Sequence, residues 1–138
     1  MKKSGLVAVA TLLVLWGVGV SAHHSAQQFD FTKTATMSGV VKKFQAINPH
    51  MRLVLAVADA KGTHDVAFEG HSTNNMYRAG YRDGMIKIGD KITVYVAPLR
   101  DGSEGGYVTA ASTADGKRFG VQSRAEQEAE RAKAEGRK

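Results

Sequence analysis

Apolar and polar positions alternate along much of this chain with the period of two that marks strands packed on one face. Met51, Leu53, Leu55 and Val57 alternate cleanly, and Ile92, Val94 and Val96 do so again with the strongest contrast in the sequence. Between them, His64, Val66 and Phe68 form one face of a further run, opposite Asp65, Ala67 and Glu69. The first predicted strand runs from about Ala35 to Phe44. Met37, Gly39 and Val41 share a face there, but Phe44 falls out of phase. A bulge near Lys42-Lys43 restores the phase, and Gly39 permits a strong bend. A fifth strand over Tyr107 to Thr113 leads to the hairpin signal Asp115-Gly116 and a short return strand within Lys117 to Val121.

The punctuation fits this division. Asn48-Pro49 closes the first strand region, and Asp59-Ala60-Lys61-Gly62 is a turn that uses glycine's freedom at positive φ. One helix is predicted in the domain: Ser72 as N-cap, two turns over Thr73 to Ala79, and Gly80 as the C-terminal glycine. Met76 and Tyr77 are its packing residues. Strand, strand, strand, helix, strand, strand is the element order of an OB-like five-stranded barrel, an all-β fold with one helix. An open antiparallel sheet with one helix on a face is the alternative.

The first residues follow a different rule. Lys2 and Lys3 precede an uncharged apolar run from Gly5 to Val20, and Val20 and Ala22 are small residues at the third and first positions before a cut. This is an export signal over residues 1–22, cleaved after Ala22, and the run is too short for a confident membrane span. The mature chain then has an N-terminal arm at 23–34, held by Phe29 or Phe31, and a β domain at 35–121. Residues 122–138, rich in Ala, Glu, Arg and Lys without an apolar stripe, form a charged helical or disordered tail. The expected compartment is the periplasm, with no membrane span once the signal is removed.

Of 138 residues, 19 are Lys or Arg and 13 are Asp or Glu, a formal charge of +6 to which Lys2 and Lys3 contribute. So mild a surplus on an exported chain does not indicate nucleic acid as a partner. Cysteine is absent. That excludes disulfides, thiol catalysis and thiolate metal sites, and leaves stability to an ordinary core.

Several short motifs occur in a fixed order: His23-His24-Ser25, Phe29-Asp30, Asn48-Pro49-His50, Glu69-Gly70, Gly89-Asp90-Lys91 and Pro98-Leu99-Arg100-Asp101-Gly102-Ser103. In this set, from His23 to about Phe119, the chain resembles a group of small exported proteobacterial proteins catalogued as a domain of unknown function. It departs from them at Ala26, where an aromatic is expected, and at Ile88, where proline is expected. The resemblance implies export and a small β-rich domain. It implies no activity.

Cleavage after Ala22 makes His23 the first residue, a free α-amine beside two imidazoles. Nitrogen donors with a free amine suit Cu(II). Two arrangements are open. In one, His23 chelates through its amine and Nδ1 and recruits a second histidine; in the other, the amine, the His24 amide and His24 Nδ1 bind together. His50, behind Pro49, is the expected recruit in either case, so His23, His24 and His50 are the metal candidates and copper the candidate cofactor. His64, on the apolar phase of its strand, is expected in the core, and His71 beside the helix cap. A second, different reading is a protein- or small-ligand-interaction module whose barrel face presents Tyr77, Tyr81 and Arg100. Enzymatic readings are weaker. Nothing in the sequence places the Asp65–Glu69 pair in a cleft, and Ser72 beside His71 lacks the strand-to-helix elbow of a serine nucleophile. The loop from Asp101 to Gly106 carries acids where a phosphate cradle needs lysine. The expected protein is a periplasmic, non-enzymatic binding or accessory module.

Overall fold

The computed structural model describes residues 26–121, together with 132, 135 and 136. The predicted signal, His23, His24 and most of the predicted tail lie outside the described residues. Six strands and one helix make up the domain: β1 (Ala35–Gln45), β2 (Arg52–Asp59), β3 (Gly62–Gly70), α1 (Thr73–Arg78), β4 (Lys91–Ala97), β5 (Gly106–Thr113) and β6 (Arg118–Gly120). The fold is therefore mostly β-sheet with one short helix. Among the described residues no helix is long and apolar enough to cross a membrane.

The strands pair in the order β3-β2-β1-β4-β5-β6, all antiparallel. A further, parallel pairing sets Phe68, Glu69 and Gly70 of β3 against Gly106, Tyr107 and Val108 of β5. In β1 the register steps from Val41↔Leu55 to Lys43↔Val54, so Lys42 is the extra residue of a bulge. The bulge lets Val41 and Phe44 both turn inward, as the loss of phase between them requires. Val41 is 1% exposed, and Phe44 packs against the core with its ring 5.7 Å from Tyr81. Gly39 allows a close approach of two strands. A Cβ at Gly39 would lie 2.6 Å from the Ala56 carbonyl oxygen, so β1 and β2 can approach this closely only without a side chain there.

The alternating positions supply the core. Leu53, Leu55 and Val94 are fully buried, Met51, Ile92 and Val96 nearly so, and Met76 of α1 joins the same cluster. Ser72 caps α1, its Oγ accepting from Asn75 N at 3.4 Å, and Gly80 follows with φ of +99°. Tyr81, Ile86 and Phe119 complete the cluster. A smaller one forms where the arm lies against the domain, from Phe29, Ala97, Tyr107 and part of Leu99.

Candidate functional site

The antiparallel register of β2 and β3 decides the neighbourhood of His50. Arg52 pairs with Glu69, so the residues just outside the ladder come opposite one another. Met51 N donates to His71 O at 3.0 Å, and Gly70 N donates to Met51 O at 3.2 Å. His50 before β2 and His71 after β3 are thereby brought side by side. Gly70 is the hinge of this arrangement. A Cβ there would stand 3.0 Å from Val108 O and 3.1 Å from Met51 Cγ, so glycine allows β3 to meet β5 here.

That meeting delivers Tyr107 of β5 to the two histidines. Its ring is edge-on to both, with centroids 5.1 Å from His71 and 6.0 Å from His50. The Tyr107 hydroxyl and His71 Nδ1 are hydrogen-bonded at 3.1 Å. His50 Nδ1–H donates to the Gly70 carbonyl oxygen at 2.9 Å. Because a carbonyl can only accept, this bond puts the His50 proton on Nδ1 and leaves Nε2 with its lone pair.

Electrostatics follow from burial. Desolvation lowers the His71 pKa below the ordinary histidine range, and the nearby His50 charge adds to the effect. Desolvation also raises the Tyr107 pKa, with the Glu69 carboxylate contributing, so the hydroxyl keeps its proton. A half-buried His71 and a phenol that favour their neutral forms, with the His50 ring beside them, can donate and accept hydrogen bonds and can offer lone pairs to a cation.

The arm is fastened to the same place. Phe29 is 2% exposed, and its ring lies 5.5 Å from Tyr107; Phe31, half exposed, lies 5.3 Å from Tyr107 on its own account. Of the two anchors expected, Phe29 is therefore the buried one. Phe29 bridges Leu99, Asp30 N donates to Pro98 O at 2.8 Å, and Arg100 N donates to Gln28 O at 2.8 Å. The Arg100 guanidinium adds a bond from Nε to Gln27 O at 3.1 Å. Behind the arm, a cleft of about 410 Å³ runs over the outer face of β2 and β3, with Lys43, Arg52 and Glu69 among its polar walls and Phe29 and Leu99 among its apolar ones.

Two expectations need correction. Tyr81 cannot belong to an exposed ligand face: it is 3% exposed and packs edge-on against Tyr77 and Phe119 in the core. Tyr77 gives its hydroxyl to Asp83, while Arg100 holds the arm, so the three do not make one binding surface. His64 is not a core residue either. It lies near the open end of β3, beyond Val66, with its side chain 37% exposed. Nε2 is 2.7 Å from Glu104 and Nδ1 is 3.9 Å from Asp59. The three ligand-type atoms of this Asp59–His64–Glu104 cluster lie within 4.8 Å of one another. A short hydrogen bond between His64 and Glu104 accounts for their approach. His71 lies beside the helix cap, next to Ser72, and its ring turns to Tyr107. Its partnership with His50 was absent from the sequence reading. The one available signal was that both residues sit at the ends of consecutive paired strands.

Comparison with known proteins adds little chemistry. No curated protein matches this sequence. Among solved structures, the chain is similar to a crystal structure of the ZRD-deleted mutant of TiaS in complex with agmatine, at 16% identity and a TM-score of 0.42. The match covers 66% of this chain and 24% of that one, so this chain spans about a quarter of that protein. A likeness of that degree carries no argument about function. A family match does extend over most of the chain, from residue 11 to residue 110, and it agrees with the resemblance carried by the ordered motifs. By that match, the chain belongs to the family described as Family of unknown function (DUF6152).

Proposed function

We propose that this protein is an exported, periplasmic, non-enzymatic accessory protein that binds Cu(II) through its mature N-terminus. His23 supplies its α-amine and ring, with His24 as the neighbouring alternative, and His50 is the recruited ligand. The observation that carries this reading is the state of His50. Its Nδ1–H is given to Gly70 O, the arrangement that fixes ligating histidines and leaves Nε2 for a metal. The ring also stands one aromatic neighbour away from Phe29, which anchors the arm that leads back to His23. From Phe29 to His23 the chain can reach up to about 20 Å, well beyond the separation of these rings. Neutral imidazole and amine nitrogens favour Cu(II) over Zn(II), and both lose their protons near neutral pH.

The scaffold proposed for this site is an OB-like five-stranded barrel. It is supported by the parallel β3–β5 pairing, which joins strands from separate parts of the sheet, and by α1 lying between β3 and β4. A second reading, a ligand- or protein-interaction module, is favoured by the cleft between Lys43, Arg52 and the arm, in place of the face first expected around Tyr77 and Tyr81.

Intact-mass analysis of periplasmic protein should show a chain beginning at His23. That protein should bind about one Cu(II), more tightly than Zn(II), and more weakly as pH falls through the histidine range. One glycine added before His23 separates the amine from its ring and should abolish the chelate. Unchanged copper affinity in that extended protein would end the N-terminal reading and leave the interaction module.

A further inference from the structure

We propose that His71 is a copper ligand and that His50 and His71 together form a two-imidazole clamp. The inference rests on the copper reading above but assigns a ligand that the reading does not contain.

Three observations converge on the pair. First, the β2–β3 register places the two residues opposite each other, held by main-chain bonds on both sides: Met51 N to His71 O and Gly70 N to Met51 O. The pair thus lies just beyond the ends of two paired strands, tied there by the bonds of Met51, which keeps its geometry before any ion arrives. Second, each ring has its Nδ1 tied to an oxygen. His50 Nδ1 meets Gly70 O at 2.9 Å, and His71 Nδ1 meets the Tyr107 hydroxyl at 3.1 Å. Among the described residues, neither Nε2 has a hydrogen-bond partner. A hydroxyl can donate or accept, so Tyr107 is able to take the proton of His71 Nδ1–H and free Nε2 for a metal. Oxygen partners on the non-ligating nitrogens are the usual supports of metal-bound histidines. Third, Tyr107 is edge-on to both rings, so one buried phenol orients the whole pair.

The donor count then acquires a meaning. An α-amine, the His23 ring and His50 give three nitrogens; His71 makes four. Cu(II) favours a tetragonal set of nitrogen and oxygen donors, so a fourth nitrogen, the third imidazole, suits copper in particular and serves tetrahedral Zn(II) less well. The other histidine cluster does not compete for this role. His64 already uses its Nε2 on Glu104, and the two exposed carboxylates beside it need no ion to explain their positions.

The test uses processed protein beginning at His23, with Cu(II) as the probe. Affinity is measured by competition with a chelator, and bound imidazoles are counted by pulsed EPR from their remote nitrogens. Loss of an outer-shell partner alone costs about 10- to 100-fold in metal affinity, so loss of a ligand should cost upwards of about 100-fold. His71→Ala should show that drop and lose one imidazole from the spectrum. Tyr107→Phe, which keeps the ring and removes the hydroxyl, should weaken binding by about tenfold. It carries the test should His71→Ala fail to fold. A His71→Ala protein that binds within threefold of the parent, with an unchanged imidazole count, overturns the assignment. So does a Tyr107→Phe protein with unchanged affinity.

The two readings fail separately. Loss with His71→Ala but not with His23→Ala leaves the clamp standing and removes the N-terminal chelate. The reverse leaves the chelate and removes His71. Parent protein that takes up no copper overturns both.

Discussion

Truncating Phe29 to alanine should release the arm while leaving the β domain folded, and the size of the effect can be worked from the contacts. The Phe29 ring is 2% exposed and faces Tyr107, Phe31, Ala97 and Leu99. Removing a buried phenylalanine ring costs about 3–5 kcal/mol. The arm's other hydrogen bonds to the domain are four: Asp30 N to Pro98 O, Arg100 N to Gln28 O, Arg100 Nε to Gln27 O, and Gln28 Nε2 to Glu69 Oε1. Each is worth about 0.5–1.5 kcal/mol net. Ordering residues 26–31 opposes docking by about 1–2 kcal/mol per residue. With the ring, attraction and ordering nearly balance. Without it, the bonds alone cannot hold six residues in place. Phe29→Ala should therefore make residues 26–31 open to protease and to fast amide exchange, with β-strand circular dichroism retained. On the proposed copper site, the affinity of the processed protein should fall at least tenfold, about 1.4 kcal/mol, because a released arm would no longer hold the N-terminus near His50. An arm that stays protected in Phe29→Ala, with unchanged copper affinity, would refute the view that this ring organises the site.

Val94→Asp should prevent folding: Val94 is fully buried between β1 and β5, and an unpaired carboxylate there costs more than a domain of this size has to lose; a parent-like melting curve would disprove the inside–outside assignment. His64→Ala should cost under about 1 kcal/mol, as expected of an exposed polar pair, whereas a core histidine would cost several; thermal melting distinguishes them. Stability should decline as pH falls below the ordinary histidine value of about 6.5. Burial depresses the His71 pKa, so the unfolded chain takes up its proton first and the folded state loses ground until the lower, folded pKa is passed. In His71→Gln this part of the decline should disappear from urea titrations run across that range.

Local pattern determined a large share of what this protein is. Alternation at Met51, Leu53, Leu55 and at Ile92, Val94, Val96 marked the strands, because a pleated strand must send successive side chains to opposite faces. The phase error at Phe44 called for the bulge that Lys42 forms, and Ser72 and Gly80 marked the ends of the helix. Those are demands of neighbouring residues on one another. Tyr81 and His64 show where such demands stop. A tyrosine after a glycine reads as a loop residue until Phe44 and Phe119 close over it, and a histidine in phase with Val66 reads as core until its strand runs past the core. The candidate site lies wholly on the far side of that limit. His50 and His71 meet through the pairing of β2 with β3, and Tyr107 reaches them only because β3 also pairs with β5. No spacing along the chain encodes these distances, since they are set by which strands share a ladder and in what register. The residue types capable of the chemistry were legible in the sequence, and their assembly around one buried phenol was decided by the tertiary structure alone.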